Sequence, residues 1–554
     1  MHIFSILFIF LSLQKSSTLS IEDIRNQEGP EYWHQINLDQ LFKSRKLTPN
    51  ENVAKNIIIF IGDGMGIPTI TAARWLKQKE KSVKNLIFDQ FPYSALTKTY
   101  CVDNQTPDSA CTASAIYSGI KTNYGTLGYD SSAIRKNISS VQPSNQVETI
   151  LTWAQKSGKA TGFVTTARVT HATPAALYAH VVERDYECDS VIPAEDTISV
   201  DIASQLVYHS PGQDINVVLG GGLQAFLPSK SENKSYISVE SWNCPRNDDK
   251  NLVQDWLKSK PSKAEFVHDL NGLEGVSEDT EYLLGLFDQD HIPYIDARKA
   301  NHPDLPRMTS KALEVLRKQP NGFFLMVEGA RIDMGHHENW AARALKETLE
   351  FDVTIEATLE SIDLEDTLVI VTADHSHTLS MTGYSYRNSD ILGFSRDGAD
   401  DDKPTTILSY ANGPSFEKYY QVENGRAVRF NMSELDPETL NKPDFAYPSA
   451  APKGDESHGG EDIATFAIGP MAHLFQATHE QTYIAYVMAY AACIGPFEHT
   501  CHGNHEDHQD NLVFVRGIQT KSSIWFIMLL VILLIVFYCT TTGKSNKQND
   551  YNQV

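Results

Sequence analysis

Positive charge is in short supply along this chain of 554 residues: 47 lysines and arginines face 70 aspartates and glutamates, a formal charge of −23. A nucleic-acid binder needs a basic footprint, so the deficit weighs against that class. It leaves phosphate chemistry open, because a few divalent cations outweigh a negative surface locally. Cysteine is sparse too, seven in all, with Cys539 in a terminal segment and six in the body. Internal repeats are missing. Neither apolar run at the ends, MHIFSILFIFLSL or IWFIMLLVILLIVFY, reaches the ~20 residues that carry a helix across a bilayer.

Those two ends still say where the chain is bound. The first run, followed by small polar residues near Ser16 to Ser20, reads as a secretory signal over residues 1–20 that is cleaved. Residues 21–50 then form an N-terminal arm, and 506–523 a stalk. The hydrophobic segment 524–539 suits the tail of a glycolipid-anchor (GPI) signal, whereas Lys544 and Lys547 in the polar tail 540–554 suit the cytoplasmic side of a single-pass helix. Either way the expectation is a protein at the extracellular face of the plasma membrane. Secretion permits disulfides. Cys493 and Cys501, either side of Gly495 and Pro496, can close a small loop, while Cys101, Cys111, Cys188 and Cys244 remain unpaired by sequence alone. Sequons begin at Asn104, Asn137, Asn233 and Asn431, which fits the same route.

What the body does contain is ordinary globular material, 41% hydrophobic and 21% charged. Five apolar runs share one design, a β-rich stretch ending in glycine or a polar cluster and followed by a helical pattern. They are NIIIFIGDGMG (56–66), ATGFVTTARVTHATP (160–174), INVVLGGG (215–222), GFFLMVEGARID (322–333) and TLVIVTADHSH (367–377). Near-continuous apolar strands alternating with helices predict an α/β fold, a large and mostly parallel central sheet flanked by helices on both faces. Ligands in such sheets gather beyond the carboxyl ends of the strands, where all these polar clusters fall. The segment after His337 has helical spacing and predicts an amphipathic helix on the sheet. Between about 384 and 453 glycine, proline, asparagine and aspartate become common, which predicts an inserted subdomain before strand texture resumes at 458–470.

The strand-end clusters carry metal-ligand chemistry. Asp63, Glu328, Asp333, His337, Asp374, His375, His377 and His458 are the residue types zinc takes in tetrahedral sets. Asp333 and His337, four apart, face the same way on a helix, and the adjacent Asp374 and His375 can reach one ion from a turn. The nucleophile candidate is Ser109 in TPDSACTASAIYSG, at the start of a helix of small residues. A serine there can simply cap the helix. The alternative is that the free N–H groups and positive dipole end of that helix receive an anion, with the hydroxyl as attacking group.

Taken together, NIIIFIGDGMG, PDSACTAS, THATPAALYAHVVER, FFLMVEGARIDMGHH, VTADHSHT and ESHGGEDIATFA resemble the alkaline phosphatases, in that family's order, from about residue 50 to 500. The animal, membrane-anchored branch is the best match, its crown insertion resembling 384–453 within a catalytic domain of 51–505. The resemblance implies a homodimer that hydrolyses phosphate monoesters through a phosphoserine intermediate, with two zinc ions and one magnesium per subunit. Asp333, His337 and His458 then resemble the ligands of one zinc, and Asp63, Asp374 and His375 those of the other, beside Ser109. Asp63, Glu328 and Thr173 resemble the magnesium ligands, with His171 the imidazole behind them; His377 resembles the supporting imidazole near the first zinc, and Arg184 the arginine that grips phosphate. Its planar fork suits that task better than a lysine. A calcium site is partly matched by Phe287, Asp288 and Asp304, with Glu232 as a fourth member. Cys493 and Cys501 match a family disulfide, whereas the one before the Thr173 segment finds no partners. Met334 stands where many animal relatives carry histidine.

Two rivals stay in play: a diesterase or sulfatase on the same scaffold, and an ectodomain that keeps its metals for stability alone. A sulfatase would want a C-x-P-S-R-type motif, and Cys111 lacks those neighbours.

Overall fold

A computed structural model of the chain describes residues 20–81, 83, 85–228, 242–260 and 263–499. The chain divides into two compact units, Met1–Pro496 and Phe497–Val554, and the sheet and the helices upon it belong to the first. The signal, stalk, anchor and polar-tail segments, Asn233, Glu232, Cys501 and Cys539 lie outside the described residues.

The five apolar runs are strands: β1 (Asn56–Gly62), β3 (Ala160–Arg168), β4 (Val217–Gly221), β7 (Phe323–Gly329) and β8 (Thr367–Ala373). Five more complete the sheet: β2 (Tyr93–Lys98), β5 (Ala264–Val267), β6 (Tyr282–Leu286), β9 (Ile463–Ile468) and β10 (Thr478–Glu480). They lie in the order β10-β2-β9-β8-β1-β7-β3-β4-β6-β5. Seven neighbours from β8 to β5 run parallel, β9 runs against both β8 and β2, and β10 is parallel to β2. Every residue of β7 and β8 is buried, which explains why both read as unbroken apolar runs.

Helices cover the sheet. Ile58 and Phe60 of β1 share a core with α1 (Ile67–Lys81), α4 (Leu305–Leu316) and α6 (Ala341–Ser361). The alternate residues Ile57, Ile59 and Ile61 are equally buried on the other face. On α6 the buried positions Ala341, Leu345, Leu349, Phe351 and Ile355 form the predicted stripe, with Phe351 edge-on to Phe60 at 5.9 Å. α2 (Ser109–Ser118) is buried all round, and its small side chains let α3 (Ile150–Lys156) and α7 (Tyr483–Ala492) pack closely against it. Asp108 caps its start and Gly119, at φ 73°, ends it.

Residues 379–449 carry only small sheets: Leu379–Met381 against Leu408–Tyr410, and a hairpin of Tyr420–Glu423 with Arg426–Arg429. Asn424 and Gly425 turn that hairpin with φ of 51° and 75°, the two left-handed residues a tight turn demands. Just beyond, His458–Gly459 pairs antiparallel with Ser376–His377, which sets His458 opposite His377.

Candidate metal centre

Strand ends deliver the ligands. β1 stops at Gly62 and presents Asp63; β8 stops at Ala373 and presents Asp374 and His375. Glu328 is next to last in β7, and α5 (Arg331–His337), directly after, carries Asp333 and His337 on one face. All of these carboxylates are buried, as are Ser109, Thr173, His375 and His377. The turn after β1 needs Gly64, at φ 69°, because a Cβ there would lie 2.4 Å from the His377 ring.

The hydrogen-bond pattern reveals which nitrogens are free. His458 Nδ1 lies 2.8 Å from the Pro107 carbonyl, and His337 Nδ1 2.5 Å from that of Glu456. His375 Nδ1 faces the Ser376 carbonyl at 3.2 Å. A carbonyl only accepts, so each Nδ1 carries a proton, and in the neutral ring each Nε2 presents a lone pair. The His337 and His458 Nε2 atoms are then 3.1 Å apart, with Asp333 Oδ2 3.3 Å from the first and Asp333 Oδ1 3.4 Å from the second. His375 Nε2 is 3.2 Å from Ser109 Oγ, 3.3 Å from Asp374 Oδ2 and 3.5 Å from Asp63 Oδ1. Lone pairs aimed at each other and at carboxylates repel unless a cation lies between them. The donor sets, His₂Asp and HisAsp₂, are those of zinc with a position left open.

A third group points the same way. One ligand atom each from Asp63, His171 and Glu328 lies within 4.8 Å of the others. Both oxygens of Asp63, Glu328 Oε1 and Thr173 Oγ1 are buried without any hydrogen-bond partner. An all-oxygen set of this kind suits magnesium. Burial, reinforced by the charges of Asp333, Asp374 and Glu328, pushes Asp63 well above the usual carboxylate range. Burial likewise pushes Glu328 up to about 8, although the Thr165 hydroxyl donates to it. Both shifts have one cause, a pocket that holds negative charge poorly without a cation.

His377 differs from its neighbours. Its Nε2 is 2.5 Å from Asp333 Oδ1 and its Nδ1 meets the Glu456 carboxylate. Against its burial, the charges of Glu456 and Asp333 push it up to about 10. With a proton on each nitrogen it has no lone pair to give a metal. Arg184 is held by Asp108 Oδ2 at 3.0 Å and approaches His171 Nε2 at 3.2 Å, which fixes its fork beside the start of α2. Ser109, Arg184 and the ligand groups therefore share one rim.

Some predicted residues are elsewhere. Asp288 pairs with His302 at 3.1 Å, whereas Asp304 caps its own helix and pairs with Arg307 at 2.5 Å. Phe287 is packed in the core. Met334 faces Arg331, its sulfur 3.1 Å from Nη1. The open cysteine pairings close as Cys101–Cys111 and Cys188–Cys244, and Cys493 is itself disulfide-bonded. The first bridge spans the loop that carries Asp108 and Ser109.

Other contributors were not found by reading the sequence. Glu456 sits two residues before His458 in a motif already singled out, so its charge was a usable signal. Gln481 donates to the Asp374 carbonyl at 2.7 Å from 107 residues away, and nothing local marks it. Thr165, on β3, reads as one more strand residue.

The family model for alkaline phosphatase matches residues 54–494. Alkaline phosphatase 4 of Drosophila melanogaster is 42% identical over 515 residues, 88% of this chain and 85% of that protein. The tissue-nonspecific isozyme of Homo sapiens is 41% identical over 502 residues, 88% of this chain and 93% of that one. Among solved structures, the alkaline phosphatase of the Antarctic bacterium TAB5 aligns at a TM-score of 0.55 with 22% identity, over 80% of this chain and 99% of its own. That of Thermus thermophilus aligns at 0.57 with 22% identity, over 80% and 92%. At such identities these structures speak for the fold.

Proposed function

The chain belongs to the alkaline phosphatase family and hydrolyses phosphate monoesters, and from that premise we propose how its own residues do so. Ser109 is the nucleophile. Asp333, His337 and His458 would hold one zinc, Asp63, Asp374 and His375 a second, and Asp63, Glu328 and Thr173 a magnesium, with His171 close enough to join them. When bound, such ions supply charge stabilisation at the reacting oxygens and a lowered pKa for the attacking one.

The observation that carries this reading is the set of three Nε2 lone pairs turned toward carboxylates and one another around Ser109. Ser109 Oγ stands at the N-terminus of a ten-residue helix, whose free N–H groups and dipole favour a phosphoryl group there. Arg184, prevented from swinging by Asp108, offers its remaining N–H groups to two phosphoryl oxygens. Attack by Oγ in line with the ester bond expels the alcohol and leaves phosphoserine, which water then hydrolyses to serine and inorganic phosphate. Nothing in this arrangement reads the alcohol, so breadth toward monoesters follows.

Brief incubation with radiolabelled phosphate and an acid quench should leave label on Ser109, identified by peptide mapping. Label elsewhere, or none, would reject the serine assignment. Faster cleavage of bis-esters than of monoesters would favour the diesterase rival instead.

Secretion, glycosylation, an anchor near residue 524 and homodimer formation belong to the same proposal. The N-terminal helices Ile21–Gln27 and Pro30–Arg45 bury no residue, and Trp33, Ile36, Leu41 and Phe42 stand exposed around the second, apolar surface that a partner subunit would cover. Phospholipase release from intact membranes distinguishes a lipid anchor from a spanning helix. Among the described residues no helix is long and apolar enough to cross a membrane.

A further inference from the structure

We propose that Glu456 is the positioning residue of the zinc pocket built on Asp333, His337 and His458, acting on one ligand through its side chain and on another through its backbone. The inference rests on the metal assignment just made.

Glu456 is fully buried, and both carboxylate oxygens are taken. Oε2 meets His377 Nδ1, while Oε1 accepts from the Thr378 N–H at 2.7 Å and from the Thr378 hydroxyl. With both oxygens already hydrogen-bonded, it acts on the ligands through its neighbours. His377 passes the constraint on: its other nitrogen holds Asp333 Oδ1 at 2.5 Å, which leaves Oδ2 turned toward His337. The backbone acts on His337 directly. Glu456 N–H donates to the His337 carbonyl at 2.8 Å, and the Glu456 carbonyl accepts from His337 Nδ1 at 2.5 Å. That second bond turns the His337 Nε2 lone pair into the pocket.

The placement matters for a second reason. Thr378 stands immediately before the strand Leu379–Met381 that begins the inserted subdomain, and Glu456 stands just after its end. One carboxylate thus ties the start of the insertion to its finish, on top of the metal pocket. A purely structural staple and a positioning residue make different predictions, because only the second requires His377.

The test is zinc release from the holoenzyme into a chromogenic chelator, followed through both ions, beside the unfolding of the metal-free protein. Glu456→Ala should release one of two zinc ions ~10–100-fold faster than wild type while the other changes little. In Glu456→Gln the amide oxygen keeps the Thr378 contacts while its NH2 can donate to a His377 Nδ1 that has given up its proton, so His377 Nε2–H still holds Asp333 and release should stay near wild type. Thr378→Val removes one strand of the staple but not the His377 contact, and should also release zinc normally. In a His377→Ala background, adding Glu456→Ala should bring little further acceleration.

Wild-type release from Glu456→Ala overturns the proposal, and so do Glu456→Ala and His377→Ala effects that multiply in full. Should the alanine variant fail to fold, Glu456→Asp, one methylene short of His377, takes its place with the same expectation and the same refutation. A wild-type protein that takes up no zinc would sink the metal assignment itself, which is a separate outcome.

Discussion

Removing the Ser109 hydroxyl subtracts one atom from a centre whose other groups stay in place. Ser109→Ala should lower kcat/KM by at least ~10³-fold on a chromogenic monoester, while inorganic phosphate still binds through Arg184 and the start of α2. Retained turnover would place the nucleophile elsewhere. A different residue contributes to pH-dependent stability away from the site. Burial pushes Glu347 above its ordinary 4.5 up to about 7, although Arg298 lies 3.6 Å away and Ile295 N–H donates to it. Between those values the folded protein binds a proton the unfolded chain does not. This group's contribution is therefore greatest at low pH and falls as pH rises through 4.5 to about 7, then levels off. Glu347→Gln, which keeps the acceptor for Ile295, should flatten that part of the urea-unfolding profile; an unchanged slope would mean Glu347 is ionised throughout. Individual ligands were legible because aspartate and histidine crowd around strand ends. Glu456 lies in a motif whose histidine carries the stronger ligand signal, and its place in the site shows only in the structure, where His377 stands between two carboxylates.

Elements explain why those ligands meet. β1, β7 and β8 are adjacent and parallel, so Asp63, Glu328 and Asp374 emerge side by side although the chain separates them by hundreds of residues. Continuous apolar runs announced these strands, and the long stripe announced α6. The strands that escaped notice, β2, β5, β6 and β10, are short, and β5 and β10 are edge strands with polar residues, for which periodicity is a weak guide. The antiparallel direction of β9 was equally hidden, since alternation gives no strand direction. Packing of α6 under β1 and β7 can be tested separately from chemistry. Phe351 fills the space above Gly329, where a Cβ would lie 3.0 Å from its ring, and contacts Phe60. Phe351→Ala should cost ~3–5 kcal/mol in urea unfolding and leave KM within about two-fold. A large KM change with little loss of stability would mean that the helix positions the site and not merely the core.

At the scale of the whole molecule, the negative balance noted first in the sequence returns as an energetic problem in the interior. Asp63, Glu328, Asp333, Asp374 and Glu456 are all buried within one neighbourhood, where the chain's own positive charge includes Arg184 and His377. Buried carboxylates of like charge destabilise a fold unless they are protonated or paired. Cations taken up only by the folded state would relieve this, and would add RT ln(1 + [L]/Kd), about 4 kcal/mol per site at a thousand-fold excess over Kd. Chelation should accordingly lower the melting temperature and abolish activity together, with the far-UV circular dichroism at room temperature nearly unchanged, because β1, β7 and β8 are held by their own ladders and apolar faces. Zinc with magnesium should restore both properties, and zinc alone only part of the stability, since the Asp63–Glu328–Thr173 group is built from oxygen donors. Loss of activity without any fall in melting temperature would show that the carboxylates are neutralised by protons, and that the metals are held for chemistry alone.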